Sequence, residues 1–296
     1  MTISRMILFG ALLLANVAFL IGWIRARHRY HSRKRPKLVE VPIGFIVAFF
    51  DTLGIGSFAP TTATLKLRGD PPDEMIPGTL NVGLNLAAIL EMSIFVTAVA
   101  VNPVLLTSMV LSAAVGAWLG AGVVNRMPRR AIQLFMGAAL LIAAFVFAAT
   151  NLQLLPGGGT EMNLLGWKFV VAVGVNFVLG ALMSVGIGLY APCMILLSLL
   201  GLHPLGAFPI MMGACGLVQP VASLQFFRSG RFGWGTSIGL SIGSIGGVLL
   251  AAFVVKSLEL RTLRWLVVGV VLYAAVTMLR SFVAGRAAAR PAAQAE

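Results

Sequence analysis

The sequence predicts an all-α polytopic membrane protein with two inverted repeats, each holding a glycine-broken or re-entrant helix, plus one extra N-terminal span. Three observations carry that expectation. Of 296 residues, 59% are hydrophobic and only 10% charged, with a mean hydropathy of +0.96. A soluble domain of that composition has too few polar side chains to cover its surface. Several apolar runs reach the roughly 20 residues needed to cross about 30 Å of hydrocarbon. Finally, one broken motif occurs twice: Gly54-Ile55-Gly56-Ser57-Phe58-Ala59-Pro60 and Gly186-Ile187-Gly188-Leu189-Tyr190-Ala191-Pro192.

Taken in order, residues 6–24 form a first apolar span, with no small-residue cleavage site after it. Residues 25–37 follow, the densest positive charge in the chain. Basic loops are retained on the cytoplasmic side, so this run is placed inside and the N-terminus outside. The net charge of +13 is explained the same way and needs no nucleic-acid partner. Residues 39–68 hold the first broken segment, followed by the mixed-charge stretch Lys66, Arg68, Asp70, Asp73 and Glu74. Either these cations draw anions to a vestibule, or they form a loop salt bridge with Asp70. The run 76–100 is apolar but carries Asn81, Asn85 and Glu91. Small residues (Ser112, Ala113, Ala114, Gly116, Gly120) suit span 103–124 to close helix packing. Arg126, Arg129 and Arg130 mark a cytoplasmic loop, and 131–150 crosses back. Loop 151–163, with Pro156 and Gly157–Gly159, carries no Lys or Arg and belongs outside.

The second half repeats this order. Segment 166–200 is broken, 205–227 is a span, and Arg228 and Arg231 form a basic loop. Span 234–255 is again rich in small residues, and 264–283 is the last span before a basic, alanine-rich tail. The sequence units are therefore 1–38 (first span and basic loop), 39–150 (first repeat), 151–165 (linker), 166–283 (second repeat) and 284–296 (disordered tail). A shift of 132 positions registers the halves. Pro60, Pro72 and Pro77 meet Pro192, Pro204 and Pro209, and Gly54, Gly56 and Gly69 meet Gly186, Gly188 and Gly201. Three recurrences among 14 prolines indicate a duplication.

Charge argues for inversion. With 25–37, 126–130, 228–231 and the tail inside, the halves start on opposite sides. The loop with Lys256, Arg261 and Arg264 then lies outside, one departure from the rule that Glu259 offsets only in part. Inversion needs an odd number of crossings per half, so each broken segment counts as two pieces or is re-entrant. Interrupted helices at matching places of inverted halves point to a transporter's substrate site.

A half-helix beginning inside the membrane offers unpaired amides and the positive end of its dipole, which bind anions without a charged side chain. Thr52, Gly54, Gly56, Ser57, Thr61 and Thr62 surround the first break. Ser184, Gly186, Gly188 and Tyr190 surround the second, and Asn81, Asn85 and Gln219 stand on the following spans. The alternative is that these glycines and prolines are packing devices, which transmembrane helices use freely. Asp51, whose counterpart is Met183, is either a proton carrier or a structural carboxylate bonded to amides of the break. Glu91, opposite Ser223, poses the same question. His203 reads as an interfacial residue. Cys193 and Cys215 read as small buried residues rather than a disulfide pair or a carrier of sulfur species. No metal-ligand spacing, nucleotide-binding loop or catalytic constellation is present, so neither a cofactor nor enzymatic activity is expected.

The stretch Gly44 to Gly56, its counterpart Gly180–Pro192 and the step Gly201-Leu202-His203-Pro204 resemble the sulfite exporter TauE/SafE family, also called the toluenesulfonate uptake permease family. The likeness covers about residues 40–283. Many members carry a glycine run after the break; here Ser57-Phe58 and Leu189-Tyr190 cut it short. The resemblance implies a secondary active permease of the inner membrane for a small sulfur-containing anion, sulfite or an organosulfonate such as sulfoacetate. It implies export, with proton coupling open. An anion channel, or a permease for other organic anions, is the alternative. The expected partners are the small anion and the lipid bilayer, with a homodimer open to it.

Overall fold

The computed structural model describes residues 3–30, 35–98, 101–154, 160–186 and 188–254, with isolated positions after them. The last span, the loop around Lys256–Arg264, the tail and the glycine run 157–159 of the linker lie outside the described residues, apart from scattered positions of that span. Eleven α-helices account for nearly all of the rest, and no named strand occurs among the described residues. Among the described residues, five helical stretches are long and apolar enough to cross a membrane: Met6–Arg27, Asp73–Val96, Pro103–Val124, Gly206–Ser229 and Trp234–Phe253.

Helix α1 (Ile3–Tyr30) takes in the start of the basic run. The first broken segment is two helices, α2 (Glu40–Thr52) and α3 (Phe58–Arg68). At about 1.5 Å per residue neither reaches across about 30 Å of hydrocarbon. Their outer ends meet: Lys37 Nζ lies 2.7 Å from Asp70 Oδ2, and Arg68 lies 3.9 Å from Glu40. The segment therefore enters and leaves on one side. The second broken segment, α8 (Trp167–Met183) and α9 (Tyr190–Leu199), does the same. The amide of Glu161 donates to Gly201 O at 3.3 Å, and that of His203 to Glu161 O at 2.7 Å. Both segments are re-entrant.

Between the hairpins run α4 (Ile76–Gly83) with α5 (Asn85–Ala98), then α6 (Pro103–Val124) and α7 (Arg129–Asn151). With the 23-residue α7 counted beside the candidate spans Asp73–Val96 and Pro103–Val124, the crossings number three, the odd number that inversion requires. After the second hairpin come α10 (Pro204–Ser229) and α11 (Trp234–Val254). One end of the molecule gathers the outer ends of α2 and α3, the end of α6 and the starts of α7 and α11. Arg231 donates to the carbonyls of Asn125 and Met127, Gln133 to Asp73, and Thr236 to Glu40. The other end gathers the second hairpin's outer ends and the start of α6, where the Asn102 amide meets Met162 O. Arg35, Lys37, Lys66, Arg68, Arg126, Arg228 and Arg231 all belong to the first end. The sequence placed no clear side on Lys66 and Arg68; the structure puts them there, with Lys66 paired to Asp73 at 2.7 Å and Asp70 taken by Lys37.

The expected span 76–100 carries a bend at Leu84. Ser241 Oγ of α11 donates to Gly83 O at 2.9 Å, so a foreign hydroxyl sits on the helical ladder at the bend. Helix α1 packs on α10 and α6: Phe19 and Phe227 rings lie 5.4 Å apart, and Thr107 Oγ1 donates to Ser4 O at 3.0 Å.

The repeats interlock. The two most extensive helix pairings are α2 with α11 and α6 with α8. Each small-residue span therefore packs on the hairpin of the other repeat, the exchange that a two-fold axis produces. Glycines make it possible. A Cβ on Gly243 would strike Val41 O, one on Gly180 would strike Ala113 O, and one on Gly116 would strike Phe177 O. In lipid such backbone proximity is the main source of helix association. Gly243→Val must therefore push α11 from α2, at about 1–3 kcal/mol by analogy with overpacked cores. A lower midpoint of thermal unfolding in detergent, relative to the open-surface variant Gly122→Val, is the expected result.

Candidate functional site

The two hairpin tips meet. Backbone turns at Leu53–Ser57 and Ser184–Leu189 separate the arms, with Gly54 at φ +85°, Gly56 at +91° and Gly186 at +103°. These are left-handed values that favour glycine. The contact between tips is reciprocal. A Cβ on Gly56 would face Tyr190 Cβ at 3.8 Å, and one on Gly188 would face Phe58 Cβ at 3.7 Å. Phe58 and Tyr190 occupy equivalent positions, as do Gly56 and Gly188. Each repeat thus sets the Cβ of its own aromatic residue against the other's glycine.

Glu91 of α5 joins the tips. Its Oε2 accepts from Tyr190 OH at 2.9 Å, and its Oε1 lies 2.9 Å from Thr52 Oγ1. All three side chains are buried. Asp51 does something different. Its Oδ1 accepts the Ser57 amide at 2.8 Å and its Oδ2 accepts the Ser57 hydroxyl at 2.6 Å. That is an N-cap on α3 supplied from six residues earlier, the structural alternative raised by the sequence.

The other residues singled out by sequence are partly engaged and partly unpartnered, Asn81 and Asn85 being both. Several have their hydrogen-bonding groups spent locally. Thr61 Oγ1 donates to Ser57 O, Ser184 Oγ to Ala117 O on α6, and Asn81 Nδ2 to Pro77 O. Asn85 faces α1, with Nδ2 3.5 Å from Asn16 Oδ1. Some keep unpartnered buried oxygens: Thr62 Oγ1, Asn81 Oδ1, Asn85 Oδ1 and Gln219 Oε1. Gly54, Gly56 and Gly188 retain partial exposure while Thr52, Ser57 and Tyr190 are buried. Backbone rather than side chain is what the tips present.

Sequence reasoning missed three features. Phe208 of α10 lies against Gly54, 3.1 Å from where a Cβ would stand, and stacks on Phe95 at 5.7 Å. Phe58 covers Gly188, although the register of the repeats already paired it with Tyr190. Met183, in the place equivalent to Asp51, has its sulfur 3.9 Å from Cys215 Sγ. The second tip is therefore lined by sulfur where the first carries a carboxylate. Neither α3 nor α9 is capped by its own N-cap side chain, and the difference between them is the carboxylate of Asp51 on the Ser57 amide. No group of His, Cys, Asp and Glu able to hold a metal occurs among the described residues.

Comparison with known proteins fits this architecture. The family model described as Sulfite exporter TauE/SafE matches residues 3–147. Over that stretch, just under half of the chain, the sequence is similar to the TauE/SafE family. The TauE/SafE match begins within α1, which the resemblance noted from motifs had left outside, and ends in α7 at the close of the first repeat. No curated protein and no solved structure matches the chain. The TauE/SafE family is one of transporters, and the apolar helices make this a multi-pass membrane protein.

The Asp51 cap yields a direct test. Asp51→Ala removes two acceptors from a buried amide and hydroxyl, each such bond to a charged group contributing about 1.5–3 kcal/mol. Thermal unfolding in detergent should show a marked loss for Asp51→Ala and a smaller one for Asp51→Asn, which keeps one acceptor.

Proposed function

We propose that the protein is a secondary active permease that moves a small sulfur-containing oxyanion, sulfite or an organosulfonate such as sulfoacetate, outward across the inner membrane with coupled proton movement. The observation that carries this reading is the reciprocal meeting of two re-entrant tips, each covering the other's glycine. Broken backbone at membrane depth persists only where protein or a water-filled cavity satisfies it. Two such tips from inverted repeats are the usual setting for a substrate site, with access alternating as one repeat rocks on the other.

The tips are unequal hosts for an anion. At the first, the Ser57 amide and hydroxyl already hold the carboxylate of Asp51. At the second, Met183 replaces that carboxylate and the start of α9 is uncapped. Amides at such a helix start favour an oxyanion. The seat is therefore assigned to the α9 side, with Tyr190 over it and the sulfur atoms of Met183 and Cys215 behind. The TauE/SafE match supports a sulfur-containing solute; the choice among sulfite and sulfonates rests on the resemblance alone.

The basic end faces the cytoplasm in this reading, as retention of Lys and Arg demands. Cysteine introduced at Arg126 should react with a membrane-impermeant maleimide only after permeabilisation, and cysteine at Leu165 in intact cells. The reverse pattern inverts the topology.

Transport is tested in liposomes holding the purified protein, by counterflow of sulfite, sulfoacetate, taurine and simple carboxylates. Accumulation of a sulfur anion against its own gradient under an imposed proton gradient is expected. Strictly downhill flux would make the protein a channel. Gly54→Leu forces a side chain into a left-handed backbone and against Phe208. It should insert normally and lose counterflow.

A further inference from the structure

We infer that Glu91 holds the coupling proton, and that this proton latches the two re-entrant tips together. Counting hydrogens places the proton, and its coupling role rests on the permease reading above. Thr52 Oγ1 lies 2.8 Å from Ala48 O and 2.9 Å from Glu91 Oε1. A threonine hydroxyl has one hydrogen and can donate to one of them. The helix carbonyl of Ala48 has nothing to donate. All contacts are met if a proton resides on Oε1: Glu91 donates to Thr52, Thr52 donates to Ala48 O, and Tyr190 donates to Oε2. With Glu91 ionised, one close oxygen pair is left with no hydrogen between them, at a buried position where that is costly.

Asp51 needs no such proton. Both of its contacts are donors, the Ser57 amide and the Ser57 hydroxyl. The two carboxyl groups therefore have different roles: Asp51 is a fixed acceptor and Glu91 an exchangeable acid. The titratable groups interacting with Glu91 among the described residues are Asp51 from α2, Tyr190 from α9 and Cys215 from α10. No Lys, Arg or His is among them. The equivalent position in the second repeat is Ser223, so the duplicated scaffold has one such acid.

The consequence is coupling. The proton lets Glu91 bridge α2 and α9 while adding no negative charge beside the anion seat. Its departure places a carboxylate against that seat and unfastens Thr52. Anion and proton therefore favour each other's binding, and by linkage the effect is reciprocal.

Two measurements test this separately from the permease reading. Infrared difference spectroscopy of the purified protein in transport buffer should show a protonated carboxylic acid C=O band that shifts in heavy water. Glu91→Gln should remove it and Asp51→Asn should leave it. This needs no substrate, and a band that survives Glu91→Gln, or that is absent from the unaltered protein, overturns the assignment. In liposomes, Glu91→Gln keeps an acceptor for Tyr190 and a donor for Thr52. Uptake driven by a proton gradient should fall about tenfold or more, in the usual range of coupling between sites, with counterflow of sulfite or sulfoacetate reduced far less. Glu91→Gln that still accumulates the anion on a proton gradient refutes the coupling role. Failure of every anion in the unaltered protein refutes the permease reading, and the coupling role with it.

Discussion

Backbone amides and carbonyls that leave a helix inside hydrocarbon have no water to turn to, and each unsatisfied one costs several kcal/mol. The architecture answers this demand at both tips. At the first, Asp51 reaches forward to bond Ser57 twice, and Thr61 closes the first turn of α3 on Ser57 O. The amides of Gly54 and Ile55 turn back onto Asp51 O and Phe50 O. At the second, Gly186 and Val185 turn back onto Met183 O and Leu182 O, but no side chain caps α9. What remains is covered by the partner tip, through Phe58 over Gly188 and Tyr190 over Gly56. Neither tip is complete without the other, which is why both breaks lie at one level.

That mutual cover requires the hairpins to be held at a fixed distance, and the small-residue helices do this. Helix α11 reaches the backbone of α2 through Gly243 and Gly247, and α6 reaches that of α8 through Gly116 and Gly120. Because each pairing joins opposite repeats, the halves separated by the linker in sequence are interleaved in space. Any rocking motion must slide these glycine seams. At the basic end, Glu40 is a node: it accepts from the Lys37 amide and Thr236, with Arg68 nearby. The second hairpin's outer ends are tied by backbone bonds between Glu161, Gly201 and His203 instead. The first hairpin is pinned by charge and the second by main chain.

Much of this was legible in the sequence because it is local. Glycine-proline breaks in apolar runs, small-residue spans and a duplication at one offset are all properties of short windows. Parity narrowed each broken segment to two pieces or a re-entrant half-helix, since inverted halves need an odd number of crossings, without choosing between them. What the sequence hid depends on contact across long separations. Nothing local says that Glu91 meets Tyr190, 99 residues away, or that Ser184 spends its hydroxyl on Ala117. The bend at Leu84 was hidden for the same reason, since its cause is Ser241 on another repeat. Thr52 and Tyr190, placed near the breaks by sequence, prove to share one carboxylate. Ser57 and Ser184, chosen on the same grounds, are engaged by Asp51 and by α6.

The duplication explains the scaffold, and departures from it explain the chemistry. A strictly symmetric pair of tips would offer two equal anion seats and two equal acids, with like charges facing across the centre. Three substitutions remove that frustration. Asp51 faces Met183, Ser57 faces Leu189, and Glu91 faces Ser223. The first repeat thereby keeps its cap and its acid, and the second keeps an open helix start. In the proposed reading the Asp51 carboxylate occupies the first tip, where it accepts the Ser57 amide and hydroxyl, and the anion is left the second. Glu91 touches Thr52 of the first tip on one side and Tyr190 of the second on the other. In the proposed permease, symmetry would supply two states of similar energy, and asymmetry would make the passage between them depend on what is bound.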